Sequence, residues 1–276
     1  MKINKKIKKV IQSDVRTALH EDGVKNDITS NLISSKKNAS AKIIFKEQGV
    51  LFGTHWVNEV CRQINSKIKL TWKVKDGKNV KKDQVVCNIK GNGKSILKAE
   101  RTILNFLQTL SSTTTLAKKF VKKIQNKKLI LLHTRKTIPG LRIGQSCACI
   151  EAGCKPHRMS LSESILIKEN HLKLIDDLDS FIKKIRRYKK PIIVEAKTFQ
   201  EIKLLSKMKI DRILLDNFTV NKLKKSLKIL RSIPVEVSGN ITLNNINQYA
   251  LKGVTHISIG ALTKNIHALD LSLLIQ

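Results

Sequence analysis

Short apolar runs recur through the second half of the chain, at 129–132, 165–167, 192–194, 212–215, 235–237 and 256–259, mostly with helical patterns between them. Runs this short suit strands buried on both faces, and strands alternating with helices must pair in parallel with the helices laid over the sheet. The rhythm predicts parallel β/α units, closed or nearly closed into a barrel. Thr198-Phe199-Gln200-Glu201 is a capping box opening one of the helices, with Ile202, Leu205 and Met208 turned inward. A further helix is expected over 242–252, stopped by Gly253.

The first half reads differently. A helix is expected up to Leu19, followed by a polar loop over 20–29. Strand-type runs are expected at 41–45, 68–75, 84–89 and 95–97, with turns over 49–53 and at Asp76-Gly77. This half reads as a compact α+β unit. A long helical pattern begins at Glu100 and places Ile103, Leu104, Phe106, Leu107 and Leu110 on one side. The hydroxyl run over 111–115 is expected to interrupt it before it resumes over 116–124.

Charge sets the next constraint. The chain holds 54 Lys+Arg against 21 Asp+Glu, a formal net charge of +33. A basic surface attracts polyanions through counterion release. Yet the lysines are scattered in pairs along the whole sequence, and aromatics, 4% of residues, are too sparse to interleave for base stacking. A solvated lysine-rich surface is the expectation, with no specific nucleic-acid partner. No apolar stretch reaches the ~18 residues of a membrane span, and the basic N-terminus lacks the apolar core of a secretory signal. Five unevenly spaced cysteines fit a reducing compartment rather than a disulfide framework. A cytoplasmic protein without a membrane partner is expected.

In parallel β/α folds the chemistry gathers at the carboxyl ends of the strands. Here those ends read His133-Thr134-Arg135-Lys136, Lys168-Glu169-Asn170-His171, Glu195, Asp216-Asn217, Ser238-Gly239-Asn240 and Gly260-Ala261. The cations Arg135, Lys136, Arg158 and Lys168, with His157 and His171 nearby, suit a small polyanion with phosphates and carboxylates. The glycine turns at Gly239 and Gly260 stand where barrels bind phosphate on bare backbone N–H groups. Glu195 and Asp216, acids among so many cations, make sense as magnesium ligands or as stabilisers of positive charge developing on a sugar carbon. These residues point to a barrel enzyme acting on a phosphorylated anion and leave the reaction open.

Several strings carry a more specific signal. They are Asn26-Asp27-Ile28-Thr29, Glu100-Arg101-Thr102-Ile103-Leu104-Asn105, His133-Thr134-Arg135-Lys136-Thr137-Ile138-Pro139-Gly140-Leu141-Arg142, His157-Arg158, Ile165-Leu166-Ile167-Lys168-Glu169-Asn170-His171, Leu215-Asp216-Asn217-Phe218, Val235-Glu236-Val237-Ser238-Gly239-Asn240-Ile241 and Ser258-Ile259-Gly260-Ala261-Leu262-Thr263-Lys264. In this order and spacing they resemble the quinolinate phosphoribosyltransferase family over nearly the whole chain. The resemblance implies an α/β fold: an N-terminal α/β sandwich domain over 1–113, then an incomplete parallel β/α barrel over 114–276, with 268–276 able to pack back on the first domain. It implies transfer of phosphoribose from phosphoribosyl pyrophosphate to quinolinate with decarboxylation, in a homodimer whose subunits share each active site. Magnesium is the implied cofactor, with no organic one. By position, Arg135, His157 and Arg158 would hold the quinolinate carboxylates, and Arg101 would reach in from the other subunit. Lys136 and Lys168 would face carboxylate or phosphate oxygens. Glu195 and Asp216 would face ribose and magnesium, and Ser238, Gly239, Asn240, Gly260 and Ala261 would take the 5′-phosphate. Two other readings stay open at this point: a related enzyme with a different acid substrate, and a non-catalytic binder of polyanions.

The chain also departs from the family pattern. Only Gly153 remains of a glycine run that precedes the His-Arg pair, and Pro156 stands in place of an Asn. His133 replaces a common Asp, Ser146 a usual Lys, and Lys197 a frequent acid. Cys147, Cys149, Cys154 and His157 offer soft metal donors, but Cys-x-Cys is not the zinc-knuckle spacing, and packed thiols are expected instead.

Overall fold

The computed structural model describes residues 3–34, 36–126 and 128–276. Among these the strands, in chain order, are β1 (Asn38–Phe45), β2 (Gly49–Val50), β3 (Lys69–Trp72), β4 (Asn79–Val80), β5 (Gln84–Asn92), β6 (Ile130–His133), β7 (Lys155–Pro156), β8 (Ile165–Ile167), β9 (Ile192–Ala196), β10 (Arg212–Asp216), β11 (Val235–Ser238), β12 (Val254–Ile259) and β13 (Leu271–Ile275). The chain divides into two compact units, one of 1–118, 137–152 and 265–276, the other of 119–136 and 153–264.

In the first unit an antiparallel sheet runs β13-β1-β5-β3. Its apolar face and the helices Lys5–Glu21 and Thr54–Ile64 enclose Ile43, Phe45, Trp56, Val57, Ile89 and Leu107, all essentially without exposure. The Trp56 indole N–H donates to Asp14 Oδ2 at 3.0 Å, so the largest core side chain also satisfies its polar edge.

The long helix differs from its sequence reading. It is one continuous element, Gly93–Lys123, and the expected strand at 95–97 forms its first turn. There the Asn92 side chain accepts from the Ser95 N–H and hydroxyl, both at 3.0 Å. The run over 111–115 does not break the helix either. Ser112, Thr113, Thr114 and Thr115 each donate their hydroxyl to the carbonyl four residues earlier, at 2.6, 3.0, 3.1 and 2.7 Å. Hydroxyls that would otherwise compete for the backbone are spent inside the helix, which lets small residues lie buried along it.

The second unit is a seven-stranded, wholly parallel sheet in the order β7-β6-β12-β11-β10-β9-β8. The ladder is open between β7 and β8, which makes it an incomplete β/α barrel. Helices Leu178–Ile185, Phe199–Leu205 and Val220–Leu227 form three of the crossovers. The capping box closes as expected: Glu201 N–H donates to Thr198 Oγ1 and Thr198 N–H to Glu201 Oε2. Its helix ends at Leu205, so Met208 lies beyond it. The helix expected over 242–252 shrinks to Ile246–Tyr249. Thr242 and Asn245 exchange side-chain to backbone hydrogen bonds there, and Asn245 also donates to Asn240 O, holding the preceding turn. Among the described residues no helix is long and apolar enough to cross a membrane.

Because β13 supplies Leu271 and Leu273 to the core of the first unit, Leu273→Ala should cost about 2–4 kcal/mol in urea unfolding. A cost near zero would mean that the C-terminal strand contributes nothing to that core.

Candidate active site

Seven strands running in one direction bring their carboxyl ends to one rim, and the candidate residues line up on it. Arg135 and Lys136 follow β6, His157 and Arg158 follow β7, and Lys168 follows β8. Glu195 lies in β9, Asp216 ends β10, Ser238 ends β11, and Gly260 follows β12. Arg101 belongs to the first unit, where it is exposed on the long helix.

The basic side of the rim lacks its counter-charge. Arg135 Nε and Nη1 are buried without a hydrogen-bond partner. Burial, and then the charge of Arg135, depress the neighbouring Arg158 guanidinium below its ordinary range. Arg158 donates to Ser164 O at 3.1 Å, a bond that spans the seam between β7 and β8. Two guanidiniums forced together, one with buried donors unspent, form a receptor for an anion with planar oxygens.

The acidic side is equally unbalanced. Burial, and then the charge of Asp216, push the Glu195 carboxyl above its ordinary value, with Lys168 and Lys197 working in the opposite direction. Asp216 accepts from Ser238 Oγ at 2.6 Å and from Asn217 Nδ2 at 2.9 Å, which fixes its carboxylate plane. The next turns are laced together. Asn217 N–H donates to Ser238 O, Asn240 Nδ2 to Asn217 Oδ1, and both asparagines adopt left-handed backbone. Gly239 has φ +92°, and a Cβ there would fall 2.1 Å from Asn217 Oδ1 and 2.7 Å from its backbone nitrogen, so only glycine fits. Lys136 lies across Gly260, and its carbonyl accepts from the Thr263 hydroxyl at 2.6 Å.

Two carboxylates, one already engaged by Ser238 and Asn217, cannot make a closed metal cage, and no group of three potential ligands occurs among the described residues. They do fit an ion such as Mg²⁺, which keeps several waters and is bound through one or two carboxylates plus substrate oxygens. The soft-donor set is not assembled. Cys147, Cys149 and Cys154 are buried cysteines outside any disulfide, and burial raises the first to about 11 and the last to about 12.

The departures from the family pattern have structural outcomes. Pro156 sits in the edge strand β7, where His157 N–H already donates to His133 O at 3.0 Å. By alternation, the Pro156 nitrogen faces the open edge, where no donor is needed. Lys197 pairs with Glu169, which Lys173 also holds at 2.9 Å. His171 anchors its loop as an acceptor, its Nδ1 taking the Lys168 N–H at 3.0 Å.

Sequence reading missed the residues beneath the rim. Glu236 is fully buried in β11, accepts from Arg212 Nη1 at 2.9 Å, and faces His157 Nε2 at 3.3 Å. Burial opposes its charge, but the His157 ring, Ser258 and Arg212 together hold its carboxyl below the ordinary range. A lone acid between two buried valines was the available signal.

A parallel β/α barrel that carries two neighbouring guanidiniums and two neighbouring carboxylates on one rim defines a class of enzyme that binds a polyanionic small molecule there. Comparison with known proteins makes this specific. Residues 27–111 match the N-terminal domain, and residues 113–274 the C-terminal domain, of quinolinate phosphoribosyl transferase. A nicotinate-nucleotide pyrophosphorylase structure from Francisella tularensis is 38% identical, with TM-score 0.90, covering all of this chain and 98% of that one. That of Ehrlichia chaffeensis is 30% identical, with TM-score 0.91 over the whole of both chains. The decarboxylating quinolinate phosphoribosyltransferase 2b of Nicotiana tabacum, a mitochondrial protein, is 32% identical over 95% of this chain and 81% of its own length. The chain belongs to the quinolinate phosphoribosyltransferase family.

The raised Glu195 carboxyl has a measurable consequence. The folded state holds this proton more tightly than the unfolded chain does. Stability is therefore lost as pH climbs from the ordinary carboxylate value through the raised one, and the loss persists above it. Glu195→Gln should melt at a higher temperature than the parent at pH 8, and the gap should shrink as pH falls toward the ordinary carboxylate range. Equal melting temperatures at pH 8 would remove the electrostatic strain inferred between Glu195 and Asp216.

Proposed function

We propose that the protein transfers the phosphoribosyl group of phosphoribosyl pyrophosphate to quinolinate, yielding nicotinate mononucleotide, pyrophosphate and carbon dioxide for NAD biosynthesis. The observation that carries this reading is Arg135, whose buried Nε and Nη1 have no partner and whose charge falls on Arg158. Such a pair suits the two carboxylates of a planar acid.

In this reading Arg135, Arg158 and His157 orient quinolinate by its two carboxylates, with Lys136 and Lys168 on neighbouring oxygens. The turns at Ser238, Gly239, Asn240, Gly260 and Ala261 take the 5′-phosphate, supported by the glycine-only geometry at Gly239. The C1–O bond to pyrophosphate breaks with its electron pair leaving on oxygen, and the quinolinate nitrogen bonds to C1. Glu195 and Asp216 stabilise the positive charge that develops on the ribose as that bond stretches. Magnesium, held by Glu195 and Asp216 together with substrate oxygens, would neutralise charge on the departing pyrophosphate. The 2-carboxylate then leaves as carbon dioxide, its bonding pair stays on the ring carbon, and that carbon takes a proton. The positive ring nitrogen and the guanidiniums favour this electron flow.

The protein acts as a homodimer, with Arg101 completing the site of the other subunit; its exposure on the long helix supports this. Five buried, unbridged cysteines support a reducing compartment such as the cytoplasm.

Incubation with quinolinate, phosphoribosyl pyrophosphate and magnesium should release carbon dioxide and form nicotinate mononucleotide. Asp216→Ala should lower kcat by about 10²–10³-fold, as expected when one electrostatic stabiliser of a transition state is lost. Absence of product from folded protein would refute the assignment. Subunit sharing has its own test. Arg101→Ala and Arg135→Ala, each inactive alone, should regain part of the activity when mixed after unfolding and refolding, because mixed dimers keep one intact site. If the mixture stays inactive while separately refolded parent recovers, Arg101 does not act across subunits.

A further inference from the structure

Glu236 is a carboxylate with no exposure, in a strand whose neighbours Val235 and Val237 are equally buried. A buried charge is costly unless it is paired, so its partners define its role. Its Oε2 accepts from Arg212 Nη1 at 2.9 Å. Its Oε1 faces His157 Nε2 at 3.3 Å, within ion-pair distance but without hydrogen-bond alignment, and the Ser258 side chain also hydrogen-bonds the carboxyl. One oxygen is thus clamped, and the other is aimed at a single ring nitrogen.

The surroundings leave His157 as the ring that answers this charge. Glu236 pairs across the ladder with His256 of β12, whose Nδ1 lies 2.8 Å from Thr255 Oγ1. Burial pushes both His256 and His133 of β6 down to about 4, so both are neutral near pH 7. Arg212 of β10 is committed to the other oxygen, and Ser258 of β12 is uncharged. His157 itself precedes Arg158 at the rim, and its side chain is only 7% exposed.

We propose that Glu236, clamped by Arg212, is the positioning residue of His157: it directs Nε2–H inward, fixes the ring plane, and leaves Nδ1 as the nitrogen offered to the anionic substrate. The misaligned 3.3 Å contact tightens when a substrate carboxylate engages the ring, as hydrogen bonds in unliganded sites commonly do. This inference rests on the quinolinate reading above, because it assigns His157 to the quinolinate side of the site.

The test is steady-state kinetics on the full chain with Glu236→Gln, His157→Ala and the double variant. Glu236→Gln should raise KM for quinolinate by about tenfold or more, the range for truncating one partner of a buried charge pair, and leave KM for phosphoribosyl pyrophosphate unchanged. In the His157→Ala background the same change should add almost nothing, because both act through one ring. If both KM values rise together, or the two losses multiply, Glu236 supports the barrel generally and the proposal fails. Should Glu236→Gln not fold, Glu236→Asp carries the test. It keeps the charge but withdraws it from the ring, and should raise KM for quinolinate alone, with a melting temperature near the parent's. A parent protein that does not consume quinolinate would overturn the underlying reading. A parent that does, beside a Glu236 variant with unchanged KM, overturns only this inference.

Discussion

The parallel direction of the barrel strands is the constraint from which the rest follows. An antiparallel sheet would scatter the strand ends between two edges. Seven parallel strands collect residues from all along 133–261 on one rim, although they are distant in sequence. The register then sorts them. Leu214 of β10 pairs with Glu195 on one side and Glu236 on the other, and Asp216 pairs with Ser238. With side chains alternating along each strand, Glu195, Asp216, Glu236 and Ser238 all project to the same face of the sheet. The acids at the rim and the acid beneath it are products of one ladder.

That arrangement gathers unlike charges without letting them cancel. Arg158 reaches across the seam to Ser164 O rather than to a carboxylate, and Arg135 keeps donors unspent. Glu195 is left beside Asp216, and their mutual repulsion adds to the cost of burial. A fold optimised only for stability would pair these groups with each other. Their separation is what one expects of a site whose missing charges arrive with a dianionic acceptor and a phosphorylated donor.

Much of this was legible in the sequence, and the missed parts share a cause. The apolar runs announced the barrel strands because each is buried on both faces. The rim residues announced themselves as polar interruptions after those runs. Hydroxyl runs misled because the expected break over 111–115 assumes that serine and threonine compete with the helix, whereas here Ser112, Thr113, Thr114 and Thr115 return their hydroxyls to the carbonyl one turn back and Ser111 donates to Phe52 O. The 95–97 segment misled because its cap, Asn92, belongs to the preceding strand. Glu236 escaped because a sequence cannot say that Arg212, far upstream, would lie one strand away.

The approach to the His-Arg pair departs from the family pattern in sequence, and its backbone explains how the pair is held. A glycine run gives backbone freedom, and most of it is absent here. Gly153, at φ +105°, still turns the chain after the helix Arg142–Glu151. Pro156 then enters the one kind of strand that tolerates it, an edge strand with its nitrogen facing outward. His157 regains the ladder through its own N–H, and its ring drops against Glu236. What the site requires of this segment is therefore its exit point. Two anchors define that point, the His133 carbonyl and the buried carboxylate of β11, and neither belongs to the loop that changed.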